Sequence, residues 1–256
     1  VRMLATIREY AAELLAAEGG AAAAEARHSA YYLALAEEAA PELRGPDQQR
    51  WHRIIARDHD NFRAALVRAQ RQGDAGPALR LAAALWRFWY VRGYLREGRR
   101  RLEECLALPD DGAEATAIAR VEVLNAAGGL AWLQADYEAA QAYHEGSMTL
   151  SRSLGRRGGE AASLHNLGLV ARAQGDFGRA RAMYEASLAI KRELGDRKSM
   201  VTTLNSVGLL AAQEGDDGAA RAFFGESLAV AREFGDLHHA AMALNNLGEI
   251  ARRQRE

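Results

Sequence analysis

The chain has 256 residues, 49% hydrophobic and 26% charged, and its 33 Lys+Arg against 34 Asp+Glu leave a formal net charge of −1. No global field therefore draws it to nucleic acid or to a membrane surface. The single Cys105 excludes a disulfide scaffold, no apolar run reaches the roughly 20 residues of a transmembrane helix, and 55 alanines with only 4 prolines point to long helices.

From the N-terminus, residues 2–17, 21–40, 47–71 and 75–92 read as helices. The first lacks the apolar centre of a secretory signal. It starts at Val1 rather than Met, which suggests an excerpt of a longer chain. Pro41 and Gly45-Pro46 separate the second helix from the third, and Gly73-Asp74 the third from the fourth. Asp60-Asn61 interrupt the third, where Asp58 or Asp60 is a candidate cap. Trp86, Trp89 and Tyr90 cluster on the fourth, either as a core seam or partly exposed for recognition. That helix and the stretch after it form a divergent hairpin, with Gly93 at the turn and Gly98 as the small contact residue. Pro109-Asp110-Asp111-Gly112 then makes a joint.

Beyond the joint the sequence repeats every forty residues without a gap. LHNLGLVARAQGDFGRARAMYEASLAIKRELGD from Leu164 aligns with LNSVGLLAAQEGDDGAARAFFGESLAVAREFGD from Leu204; a copy precedes them from Leu124, and Leu244 starts another. Gly128, Gly168, Gly208 and Gly248 are in register, as are Ala140, Ala180 and Ala220, and Gly155, Gly195 and Gly235. Each copy reads as two helices, 161–174 and 177–194 in the second. Gly175-Asp176 breaks the pair, and Asp176 can cap the second helix of the two. Gly195 suits a left-handed helix end. Gly168 and Ala180 mark the closest approach of the two helices, beside a layer of Leu167, Val170, Tyr184 and Leu188. Phe224 stands at the Tyr184 position, and His144 departs from it. One hairpin cannot bury both its faces, but stacked neighbours can, which makes an elongated solenoid.

These units resemble tetratricopeptide repeats, in the forty-residue form of kinesin-light-chain-like arrays. Leu167-Gly168, Ala180, Tyr184 and Ser187 stand at the family's Leu-Gly, small, aromatic and later small positions. Ala171 departs from the Tyr of many repeats, and Asp217 from the aromatics Phe177 and Tyr137. The resemblance implies an all-α solenoid of antiparallel helix pairs in a right-handed superhelix; an irregular helical bundle is the competing fold. The organisation becomes a helical connector over 1–74, a divergent repeat over 75–110 and regular repeats over 111–256, the last incomplete.

The first half has a second resemblance. Met3–Ala11, Arg27–Asp47, His59–Leu66 and Leu85–Glu104 are similar to a segment of bacterial regulators of signal-transduction-ATPase type. In that family an ATPase module and a winged-helix module precede a helical connector and tetratricopeptide repeats. Residues 1–17 would match the trailing helix of the winged-helix module. No ATPase or DNA-binding module is present here, so any ATPase would lie outside this segment.

No motif carries chemistry. There is no GxxxxGK[ST] loop, HExxH, Cys/His ligand cluster or GxSxG elbow, so no catalytic, cofactor or metal residue is assigned. Gly19-Gly20 and Gly158-Gly159 read as turns, His238-His239 as surface loop, and Cys105 as a packed residue, its lone thiol fitting a reducing, cytoplasmic setting. Ser147, Ser187 and Ser227 fall at a packing position. The basic runs Arg96–Arg101 and Arg252–Arg255 lie close to acidic residues, without the aromatic–basic pattern of a nucleic-acid surface.

Binding is expected on the concave face of the first helices. Asn125, His165, Asn205 and Asn245 recur at the repeat period, Asn166, Ser206 and Asn246 form an adjacent column, and Trp132, Arg172 and Ala212 continue the groove; Glu122 and Arg252 could border it. An amide offers a donor and an acceptor, so such a column can hold the backbone of an extended peptide; the same asparagines could instead only align the stack. Two readings of function remain. One is a non-catalytic protein- or peptide-binding or sensor segment of a multidomain regulator, whose partner is its own ATPase module or a small inducer. The other is a free-standing scaffold. Contact with nucleic acid or membrane is not expected. The last repeat leaves Leu244, Leu247 and Ile250 without a covering helix, which leaves a homo-oligomeric contact open.

Overall fold

The computed structural model describes residues 10–11, 13–15, 17 and 19–253; most of the helix expected over 2–17, and the end of the basic run at 252–255, fall outside them. The described chain is helical throughout, with no strand, and divides into two compact units, Val1–Ala119 and Arg120–Glu256.

The first unit contains α1 (Ala21–Glu42), α2 (Gln48–Arg57), α3 (His59–Gln72), α4 (Ala75–Arg92) and α5 (Leu95–Leu106). Helix α1 packs against α3 and α4, and α5 against α4. Their apolar stripes meet in a core that fully buries Leu43, Ile55, Phe62, Leu66, Leu79, Phe88 and Leu102; each such side chain contributes roughly 1.5–3 kcal/mol by leaving water. Two details differ from the sequence expectation. Pro41 lies inside α1, one residue before its end. The run 47–71 is two helices, and the break falls at Asp58, not at Asp60-Asn61. Asp58 adopts φ −105°, ψ 18° without a side-chain cap bond, and its carboxylate turns instead to the Arg57 guanidinium, 2.7 Å away. The bend redirects the chain between Ile55 and Phe62, both buried.

The second unit holds most of α6 (Glu114–Leu133), then α7 (Tyr137–Ser153), α8 (Arg157–Ala173), α9 (Phe177–Glu193), α10 (Arg197–Gln213), α11 (Asp217–Glu233) and α12 (Leu237–Arg253). It is a tetratricopeptide-type solenoid of helix pairs, α6/α7, α8/α9 and α10/α11, with α12 in the first-helix place of the next repeat. The second helix of one pair also packs on the first helix of the next: Tyr184 and Leu188 of α9 share a cluster with Met200, Leu204, Val207 and Leu210 of α10. Successive first helices also touch, α8 with α10 and α10 with α12.

Small residues set the spacing within each pair. A Cβ added at Gly168 would lie 2.5 Å from Tyr184 Cε1, and one at Gly208 2.6 Å from Phe224 Cε1. At Gly128 the side chain met is the His144 ring, also at 2.5 Å. Ala140, Ala180 and Ala220 are wholly buried beside these contacts. Gly248 differs: nothing lies within 4 Å of its added Cβ, because the facing aromatic comes each time from the following helix, and α12 is the last helix described. A buried serine closes each pair. Ser147 Oγ donates to Val121 O at 3.2 Å, Ser187 Oγ to Ala161 O at 2.7 Å and Ser227 Oγ to Val201 O at 3.2 Å.

The turns repeat as faithfully. Asp136, Asp176 and Asp216 cap α7, α9 and α11 by accepting the backbone N–H three residues on. The residue before each of these caps is left-handed: Gly175 (φ 83°), Gly215 (φ 84°) and, in the first copy, Ala135 (φ 58°).

Candidate functional site

The first helices of the second unit carry the expected binding residues, and the structure groups them in two polar knots. In the first, Asn125 Oδ1 accepts from Ser163 Oγ (3.3 Å) and Asn166 Nδ2 (3.4 Å), and lies 3.2 Å from His144 Nδ1. In the second, Asn246 Nδ2 donates to Asn205 Oδ1 at 2.9 Å. Both amide pairs join residues forty-one apart, so each crosses from one repeat to the next. Asn205 is buried, Asn125, Asn166 and Asn246 are half-buried, and Asn245 is exposed with no hydrogen-bond partner among the described residues.

His165 does not join the amides. Its Nδ1 lies 3.1 Å from Thr203 Oγ1, and the same hydroxyl accepts from Lys191 Nζ at 2.7 Å. Lys191 Nζ also donates to Ser199 O at 3.0 Å. The lysine is buried, and burial pushes its pKa down to about 8 against the weaker pull of Asp196. The His165 residue is half-buried. Burial first, then the charges of Lys191, His144 and Arg172, take its pKa down to about 3. Burial alone takes His144 to about 4. Both imidazoles are therefore neutral at pH 7.

Sequence reasoning missed Lys191 and its threonine. The available signal was register: Lys191, one of only two lysines, occupies the place of Ser151 and Ala231, and those neighbours are small and buried.

Trp132 and Arg172 extend this face. Trp132 packs beside Ala131, Ala140 and Val170, and its Nε1 is enclosed without a hydrogen-bond partner. Arg172 is half-buried, and no carboxylate pairs with it among the described residues. It lies near the buried Tyr184 hydroxyl. Burial raises the Tyr184 pKa, while Arg172 and Ser206 draw it down. Leu169 and Leu209 line the same face, half-buried. Glu122 is exposed, and Arg252 pairs with Glu249 at 2.7 Å.

Elsewhere the chemistry is structural. Cys105 is buried, accepts from Gln70 Nε2 at 3.5 Å, and is pushed up to about 11 by burial. Glu160, buried, is held between Arg152 and Arg157, each at 2.7 Å. Among the described residues no group of three or more His, Cys, Asp or Glu is placed to hold a metal ion, and no helix is long and apolar enough to cross a membrane.

Comparison with known proteins agrees with this architecture. Residues 118–193 match the tetratricopeptide repeat family. Among solved structures, BtubC (BKLC) from P. vanneervenii is similar with a TM-score of 0.60 and 17% identity, over 90% of this chain and 84% of that one. The apo form of RapI gives 0.67 and 15%, over 83% and 74%. PilF of Pseudomonas aeruginosa gives 0.55 and 19%, over 89% and 93%. At these identities the likeness is one of fold. No curated protein sequence matches the chain.

Proposed function

We propose that the chain is a non-catalytic protein-interaction scaffold whose second unit takes an extended peptide along its first-helix face. The observation that carries this reading is the state of Asn166 and Asn246. Each amide is fixed by its Nδ2 to the preceding repeat, yet remains half-exposed with its Oδ1 uncommitted. A pre-set amide orders a peptide backbone at little entropic cost. Leu169, Leu209 and Arg172, half-buried on the first helices, would read side chains.

Within this reading the chain is the sensor segment of a bacterial regulator of signal-transduction-ATPase type, and its partner is the ATPase module or an inducer. The support is the resemblance of Arg27–Asp47 and Leu85–Glu104 to the connector of that family. A free-standing scaffold is the second reading, favoured by the regular repeats alone. An array of random extended peptides, probed with the 256-residue chain, tests the face. The double variant Asn166→Ala, Asn246→Ala should lose about tenfold or more in affinity while its melting curve stays cooperative. Equal binding by a folded double variant would remove the first-helix face from consideration.

A further inference from the structure

The first unit carries an unbalanced surface that the peptide-binding face does not explain. Helices α2 (QQRWHRIIAR) and α4 (AGPALRLAAALWRFWYVR) contain six arginines and no Asp or Glu. Two of the six are neutralised, Arg57 by Asp58 and Arg80 by Glu37. Among the described residues Arg50, Arg53, Arg87 and Arg92, together with Arg44 after α1, pair with no carboxylate. Glu42 and Asp47, which flank Arg44 in sequence, do not pair with it.

Two of these cations lie over aromatic rings of α4. The Arg44 guanidinium lies over the Trp86 ring, 5.6 Å from its centroid, and that of Arg87 over Tyr90 at 5.1 Å. The two rings are 6.2 Å apart, so arginine, tryptophan, tyrosine and arginine form one continuous strip. His52, whose ring stacks on Phe88 of α4 at 6.1 Å, is 8% exposed, and both its ring nitrogens are enclosed without a partner, as is Arg87 Nε. Burial and then the charges of Arg87 and Arg92 lower the His52 pKa. Partial desolvation, and then Arg87, lower that of Arg44. Burial is the first cause of both shifts, and neighbouring arginine charge adds to it. Tyr90 and Val91 stand 39% and 45% exposed at its rim.

A guanidinium held over a ring keeps N–H groups for a carboxylate; at Arg87 these are the Nη groups, since Nε is enclosed. Arg, Trp and Tyr are also enriched among the residues that dominate binding energy at protein interfaces; here Arg44 and Tyr90 are exposed and Trp86 and Arg87 half-buried. The strip is longer than one anion, since its two guanidiniums sit on separate rings 6.2 Å apart. We infer that this strip, Arg44, Trp86, Arg87 and Tyr90, is a docking surface for an extended acidic segment of another protein, whose carboxylates meet Arg44 and Arg87.

A fluorescein-labelled Glu-Ala-Glu-Ala-Glu-Ala-Glu peptide and the 256-residue chain provide the test by anisotropy. Binding should weaken with salt and fall about tenfold in both Arg44→Glu and Arg87→Gln, while Arg100→Glu, in the separate basic run of α5, leaves it unchanged. Arg44 is exposed, so its variant reports even if Arg87→Gln fails to fold. Absence of binding, equal binding by Arg44→Glu, or equal damage from Arg100→Glu would overturn the assignment. So would complete displacement of the peptide by millimolar inorganic phosphate, which would make the strip a site for a free anion.

Discussion

The ammonium of Lys191 stands 2.7 Å from the Thr203 hydroxyl, and no carboxylate hydrogen-bonds to it. A charge kept inside a repeat interface on neutral acceptors alone is under-solvated, since burying an ion costs several kcal/mol before compensation. Its folded pKa of about 8 lies below the ordinary 10.5. Between these values the unfolded chain holds the proton and the folded chain does not, so stability rises with pH across about 8 to 10.5 and is lowest below 8. Lys191→Met should be more stable than the parent by roughly 1–3 kcal/mol at pH 7, with the gap narrowing by pH 10. Urea unfolding at the two pH values measures this; a variant less stable at pH 7 contradicts it.

His144 gives the acid-side counterpart. Its folded pKa of about 4 lies below the ordinary 6.5. The unfolded chain takes up the proton first as pH falls, so stability declines from about 6.5 down to about 4. His144→Phe installs the side chain found at position 224 and should flatten that decline. It also removes the contact to Asn125 Oδ1, so its benefit at pH 7 is expected to be small. Thermal melts from pH 7 to pH 4.5 compare the two slopes.

Ala135 is the one non-glycine residue with positive φ among the described residues. A Cβ in the left-handed region costs about 1–2 kcal/mol, and the equivalent turns use Gly175 and Gly215. Ala135→Gly should therefore raise stability by about 1 kcal/mol. Gly175→Ala and Gly215→Ala should lower it by a similar amount, and urea midpoints of the three variants check the signs.

Arg156 precedes α8 at the place where Asp196 precedes α10 and Asp236 precedes α12. Asp196 accepts from Ser199 N at 3.2 Å and Asp236 from His239 N at 3.1 Å, whereas Arg156 offers no side-chain cap. Arg156→Asp should supply one and stabilise the chain by about 1 kcal/mol. A fall in the urea midpoint would show that the arginine has another role.

Gly208 and Gly248 share a register but not a fate. Gly208→Ala drives a Cβ into the Phe224 ring at 2.6 Å and should cost about 1–3 kcal/mol as the helices part. Gly248→Ala meets open space and should gain up to about 1 kcal/mol of helix propensity. Thermal melts of the two variants should therefore move in opposite directions.

The repeat architecture was legible because one residue type served one geometric role at a fixed period. Gly168 against Tyr184, Ser187 on Ala161 O and Asp176 at the cap all follow from position alone. The helix break at Asp58 was not legible, since the run from Trp51 to Leu66 keeps a helical apolar rhythm and only the backbone of Asp58 departs from it. Of the face residues, the column of Asn125, His165, Asn205 and Asn245 followed from the period. Their pairing did not: the bonds run diagonally, from Asn125 to Asn166 and from Asn205 to Asn246, because side-chain reach rather than register selects the partner. Lys191 escaped because composition marks it as rare but does not mark it as buried.

The diagonal amide bonds have a consequence for how such an array can change length. The serine-to-carbonyl bonds and the glycine–aromatic contacts recur every forty residues, so loss or duplication of one repeat leaves them intact. The amide bonds recur every eighty, since His165 and Ser206 stand at the intervening step. Removing residues 165–204 would place Asn125 before Ser206, so the amide pair would be lost while Asn125 Oδ1 kept Ser163 and His144. Exchange in steps of two repeats preserves the amide pairing, which makes the doublet, not the single hairpin, the step in which this array can grow or shrink without losing it.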